Sequence, residues 1–91
     1  MDTLLNPAVI VEVFSESTEA HDRGFKFAQY RKLDSIREYV LVSETEPRVE
    51  IFRRLPSGGW LLHEYLGMDA VCHIESVDVK LPLADIYDRV G

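Results

Sequence analysis

A mixed α+β domain built on a central sheet is the fold class the sequence predicts, on three observations. A nearly continuous apolar run, Ala8 to Phe14, is rich in β-branched residues and has the character of a strand covered on both faces. A stretch from about Glu19 to Leu33 sets Arg23, Lys26, Phe27, Tyr30 and Leu33 on one stripe of a helical wheel. Pro56-Ser57-Gly58-Gly59 separates two strand-like stretches, as in an antiparallel hairpin. Strands and helices mixed in this way predict an α/β or α+β domain with a mixed sheet.

The elements follow in order. Pro7 precedes the first strand, and Ser15, Ser17 and Thr18 break it and offer caps to the helix behind it. Asp34 and Ser35 end that helix. Glu38 to Ser43 reads as a second buried strand, and Arg48 to Arg54 as a third, more exposed one. Trp60 to Leu66 is the return strand of the hairpin. Ala70 to Ile74 and Val77 to Leu81 are weaker strands. Leu83 to Val90 has helical spacing, with Leu83, Ile86, Tyr87 and Val90 as its apolar stripe. The predicted order is β-α-β-β-β-(β-β)-α, without repeats, low-complexity tracts or a linker.

At 91 residues the chain holds one small domain at most. Its 46% hydrophobic content excludes a disordered protein. Cys72 is the only cysteine, so no intrachain disulfide is possible and a reducing compartment is expected. No segment approaches the roughly 18 apolar residues that span a bilayer. Met1 to Pro7 lacks the basic-then-apolar pattern of a secretory signal. A soluble, cytoplasmic protein with no membrane partner is the expectation. The net charge of −6 argues against a general nucleic-acid-binding surface. It leaves room for a nuclease, since carboxylates gathered round a metal are themselves acidic while a local basic edge holds DNA. Arg31, Lys32, Arg37, Arg53 and Arg54 are the candidates for such an edge.

Two residues break the patterning. Glu12 lies inside an otherwise apolar strand and by the two-residue period shares a face with Ala8, Ile10 and Phe14. A carboxylate there is costly unless it is paired, hydrogen-bonded or bound to a metal; the alternative is an exposed strand end that lets it reach water. Lys26 lies on the inward stripe of the helix, between Tyr30 and Leu33. The alternative there is a buried stem with the ammonium in water. Together, a strand carboxylate and a helix lysine can point into one cleft and perturb each other.

Other candidates are weaker. Ser15 and Ser17 sit where capping is the simpler role. His21, His63 and His73 lack a short metal-ligand spacing. Cys72 in an apolar strand reads as a core residue, and Trp60 as packed over the hairpin. No stretch resembles a phosphate-binding Gly-rich loop.

The stretch from Asn6 to Ala20 resembles the Uma-two family of restriction-endonuclease-like proteins. So do Asp22-Arg23-Gly24-Phe25-Lys26-Phe27, Tyr30-Arg31, Glu38-Tyr39-Val40-Leu41-Val42 and the tail Leu81-Pro82-Leu83-Ala84-Asp85-Ile86-Tyr87. The resemblance implies a PD-(D/E)XK nuclease with the restriction-endonuclease fold, a mixed sheet flanked by helices, and Mg²⁺- or Mn²⁺-dependent hydrolysis of DNA. It implies that Glu12 and the Val13 backbone carbonyl bind the metal. Phe14 stands at the third position of the Glu-x-Lys motif, and the resemblance assigns the catalytic lysine to Lys26. Glu16 stands where family members commonly have proline. The family's first half carries the Pro-Asp motif whose aspartate binds the metal, and Asp2 is too close to Glu12 to replace it. Residues 1–91 are therefore expected to be a single partial domain matching the C-terminal half, with an incomplete site. Two functions follow as expectations: an endonuclease that works as a homo-oligomer (a dimer) or with a chain supplying the other half, or a non-catalytic, self-associating interaction protein.

Overall fold

Glu38–Ser43 (β2) is the strand on which the other elements are laid. In the computed structural model, which describes residues 7–88, five of its six residues are buried. Val9–Phe14 (β1) runs parallel to β2, with Val9 opposite Glu38 and Phe14 opposite Ser43. Arg48–Arg54 (β3) pairs antiparallel on the other side, and Trp60–Leu66 (β4) closes the hairpin, giving the order β1-β2-β3-β4. The hairpin turn uses Gly58 at φ +100°, where a side chain is strained.

Alternation along β2 feeds two cores. Tyr39 and Leu41 face one way and cluster with Phe14 and Phe27, walled by Ile10, Tyr30, Phe52 and Trp60. Val40 faces the other way and packs with Val49, Ile51, Cys72, Ile74 and Leu83. The first face is covered by a continuous helical stretch made of α1 (Glu19–His21), a π-helical segment (Asp22–Lys26) and α2 (Phe27–Tyr30). The second is covered by an antiparallel pair, β5 (Val71–Ile74) and β6 (Val79–Pro82), joined through a 3₁₀ turn at Glu75–Val77, and by α3 (Leu83–Tyr87). The mixed α+β class with a mixed sheet is the one expected. Among the described residues no helix is long and apolar enough to cross a membrane.

Several expectations need correction. Among the described residues β1 is an edge strand with one open face, so Val11 and Val13 are 56% and 62% exposed rather than covered. β3 is interior, with Val49, Glu50 and Ile51 buried, and the exposed member of the hairpin is β4. The long helix stops at Tyr30, so Leu33 is exposed. The hydroxyls of Ser15, Ser17 and Thr18 bond to one another, and no side chain caps the helix at Thr18. Trp60, by contrast, does pack on the hairpin, under its register partner Arg54, and also meets Phe27 edge-on. Cys72 is likewise the core residue expected, and burial raises its thiol pKa. The readings made on Met1 to Asn6 and on Val90 lie outside the described residues.

β2 carries an anomaly of its own at Glu38, a glutamate in a fully buried position. Its carboxylate accepts from Arg53 Nε at 2.9 Å, from the backbone N–H groups of Glu75 and Ser76 at 3.0 and 2.8 Å, and from Ser76 Oγ. Burial pushes its pKa up, but the Ser76, Arg53 and Glu75 donors outweigh it and leave the carboxyl below its ordinary value. One charge thus ties the central sheet to the outer β5–β6 layer. Glu38→Gln leaves Arg53 facing an uncharged partner, and a loss of about 3–5 kcal/mol is expected by urea unfolding. A carboxyl lowered on folding stabilises above its unfolded pKa. Wild-type stability should therefore decline as the pH falls through 4.5 and below, with a smaller decline in E38Q.

Candidate active site

The π-helical segment carries the side chains that meet β1. Asp22, Lys26 and Tyr30 stand four residues apart, one above another on a single helix face. The i→i+5 pattern widens this turn, and such bulges recur at functional sites. Gly24 lies within it, and a Cβ there would meet nothing within 4 Å, so the glycine serves no close approach. Tyr39 fixes the turn from the sheet by donating its hydroxyl to the Asp22 carbonyl at 2.8 Å. Burial is the main cause that holds the Tyr39 phenol protonated far above its ordinary range.

Glu12 projects from β1 toward that stripe. Lys26 Nζ lies 3.2 Å from Glu12 Oε1, and the Tyr30 hydroxyl donates to Oε2 at 2.9 Å. The same ammonium lies 3.1 Å from Asp22 Oδ1, an ion pair without the alignment of a hydrogen bond. Asp22 is 1% exposed, so this cation is what offsets its burial. Contact with Asp22 and then with Glu12 raises the Lys26 pKa. Burial and the Glu12 contact raise that of Tyr30. Both side chains also keep access to water, with Glu12 23% and Lys26 36% exposed. Glu12 is paired and half-buried, and the Lys26 head is directed at two carboxylates.

The strand supplies backbone oxygens as well. The carbonyls of Ala8 and Phe14 accept from Arg37, Glu38 and Glu44 on the β2 side. By the two-residue period Ile10 and Glu12 turn the same way, so Val9, Val11 and Val13 turn their carbonyls to the open edge. A row of carboxylates crosses the sheet, because Glu12, Leu41, Glu50 and Glu64 are register partners in turn. Leu41 separates Glu12 from Glu50. Glu50 is 4% exposed and is paired with Arg23 and, at 3.8 Å, with Arg48. It is a structural pair rather than part of the Lys26 cluster.

Sequence reasoning found Glu12 and Lys26 and missed Asp22 and Tyr30 as their partners. The i,i+4 spacing of Asp22 and Tyr30 on either side of Lys26 was the available signal. The histidines stay apart: His21 stacks on Phe25, His63 on Tyr65, and His73 meets Asp78. Among the described residues no group of three or more His, Cys, Asp or Glu is placed to hold a metal ion. The oxygen-donor chemistry fits a hard cation that keeps most of its waters. Both Glu12 oxygens already accept one donor, and a carboxylate oxygen has a second lone pair to offer.

The family model described as "Uma2: Putative restriction endonuclease" matches residues 2–84. An uncharacterized protein of Synechocystis sp. is 35% identical over 81 residues, covering 89% of this chain and 42% of the relative. A second uncharacterized protein of Synechocystis sp. is 37% identical over 65 residues, covering 71% of this chain and 37% of its own length. The chain thus spans less than half the length of either relative.

The buried carboxylate and its cation should be energetically coupled. Lys26→Met should lower the urea midpoint by leaving Asp22 uncompensated, and adding Asp22→Asn should restore much of the loss. A lysine pKa raised on folding stabilises below its unfolded value, so the deficit of K26M should persist to pH 10.5 and shrink only above it. Additive losses in the double variant would count against the pairing.

Proposed function

This chain belongs to the Uma2 family, and we propose that it carries the strand-and-helix part of a divalent-metal-dependent DNA endonuclease site of the PD-(D/E)XK type. The observation that carries the reading is the Glu12–Lys26 contact at 3.2 Å, made across 14 residues of sequence between an edge strand and a π-helical turn. In this proposal Glu12 and the Val13 carbonyl hold Mg²⁺ or Mn²⁺. When bound, the cation polarises the scissile phosphate and acidifies a water.

The chain's own side chains have distinct tasks. Lys26 stays protonated at neutral pH between its two carboxylates. It offers positive charge to the phosphate oxygens as negative charge grows on them, or orients the attacking water. Tyr30 holds Glu12 in one rotamer through its hydroxyl. Asp22 positions Lys26. Glu12 combines solvent access with a place on the β1 edge strand beside Lys26, and a further carboxylate from another chain or segment would complete the ligand set.

The open edge of β1 is where we propose that a partner joins, either a second copy or a chain supplying the rest of the family domain. Val9, Val11 and Val13 direct outward there backbone groups that pair with no strand among the described residues, a template for strand addition. The exposed side chains of Val11 and Val13 border an apolar groove of about 250 Å³ that continues over Val42, Leu81 and Ile86.

Cleavage of supercoiled plasmid DNA should require Mg²⁺ or Mn²⁺ and stop on chelation. Glu12→Gln should abolish it, and Lys26→Ala should slow it by about 10²-fold or more. Absence of metal-dependent nicking by the wild-type protein would sink the enzymatic reading for this chain acting alone or as a homo-oligomer and favour the interaction role. Separately, solution scattering at micromolar concentration should give a dimer mass. Val11→Glu with Val13→Glu should return a monomer of unchanged helix and strand content; a monomeric wild type would remove the second copy as the partner.

A further inference from the structure

Several cations of this acidic chain are already engaged. Arg23, Lys26, Arg48 and Arg53 each contact at least one carboxylate. Arg31, Lys32, Arg37 and Arg54 meet none among the described residues, and all four gather at one end of the sheet. Arg54 organises the group. Its Nε donates to the Ile36 carbonyl at 2.8 Å, and its Nη2 to the carbonyls of Leu33 at 2.9 Å and Arg31 at 3.4 Å. Its backbone N–H also donates to the Arg37 carbonyl at 2.8 Å. The segment between helix and β2 is thus wrapped on a guanidinium, which is itself backed by the Trp60 ring at 4.4 Å. Arg31 lies over the Phe27 ring, and Arg31, Lys32 and Arg37 are exposed.

An open cleft of about 450 Å³ adjoins this segment, lined by Arg37, Arg53, Arg54, Glu38, Glu75 and Ser76. Its two carboxylates are turned to Arg53. The one acidic residue on the basic segment itself, Asp34, is exposed. The balance at this end of the sheet is positive in a chain whose net charge is −6.

We propose that Arg31, Lys32 and Arg37, held in place by Arg54, form a binding site for the phosphodiester backbone of a DNA strand. This rests on the nuclease reading and says where the substrate is gripped. The geometry suits it. Arg37 donates its backbone N–H to the Ala8 carbonyl, four residues before Glu12 on β1, or about 13 Å along an extended strand. A backbone lying along β1 therefore meets the cations and Glu12 within a few nucleotides. Phosphate neutralisation by such side chains releases counterions and makes affinity fall with salt.

The test is fluorescence anisotropy of a short duplex DNA with wild-type protein in EDTA, across a salt series. The triple variant Arg31→Ala, Lys32→Ala, Arg37→Ala should bind more weakly. Its slope of log affinity against log salt should be shallower by about 0.9 for each phosphate that is no longer neutralised, about 2–3 in all. Lys80→Ala, on the outer β6 strand, should leave the slope unchanged, and thermal unfolding should show the triple variant folded. A slope as steep in the triple variant as in wild type, or no duplex binding by wild type, overturns the proposal. Glu12→Gln should bind with the wild-type slope. Salt-dependent binding through these residues without any metal-dependent cleavage would sink the nuclease reading and keep the phosphate site. Cleavage with an unaltered slope would do the reverse.

Discussion

Burial of β2, in all but Val42, is the constraint from which the rest of the structure follows. A strand with neighbours on both edges and layers on both faces must satisfy every polar group it carries. Its middle does so through the ladders to β1 and β3. Its ends do so through side chains. At the start, Glu38 gathers Arg53, Ser76 and the Glu75 and Ser76 amides. At the finish, the Ser43 carbonyl accepts from the Tyr87 hydroxyl at 2.7 Å, and that oxygen also approaches Arg48. Both ties reach into the layer made by β5, β6 and α3. The outer layer is thus latched to the sheet at two corners by polar contacts and held between them by the Val40–Ile51–Cys72–Leu83 core.

The opposite face solves a different problem. Its core is aromatic, with Phe27 against Tyr39, Phe52 and Trp60 at ring separations of 5.4, 4.4 and 5.2 Å. Rings of that size hold the helical stretch at a fixed height above the sheet. The Tyr39 hydroxyl, at the base of this stack, reaches the Asp22 carbonyl and so sets where the π-helical turn begins. The position of Lys26 over Glu12 is therefore a consequence of aromatic packing several residues away. Charges that a helix of this length would normally turn to solvent are brought over a strand edge, and the three groups stabilise one another there.

Charge is sorted across the molecule in the same way. Arg23 and Arg48 flank the Phe14 ring and pair with Glu50 and Glu19 near the end of β1. Arg53 is consumed by Glu38. The other cations of the described residues, Lys26 and Lys80 apart, gather around the segment before β2, where Arg54 bonds carbonyls rather than carboxylates. An overall acidic composition thus coexists with a locally basic end, and the composition alone does not reveal it.

The strands, the hairpin turn and the two anomalous residues were legible in the amino-acid sequence, since each rests on local periodicity or on a turn with a preferred chemistry. Glu12 stands out because a two-residue period exposes any polar member of an apolar run. Lys26 stands out because a helical wheel does the same. Lateral order in the sheet was not legible. Burial of β3 and exposure of β1 depend on which strand has neighbours, and a run of valines is compatible with either. Asp22 escaped for a related reason. Its burial and its share in Lys26 arise from a π turn stabilised by Tyr39, a contact made across 17 residues. Local pattern set what each segment is; packing between segments set which charges meet, because Coulombic and hydrogen-bonding partners are chosen by distance in space and not along the chain.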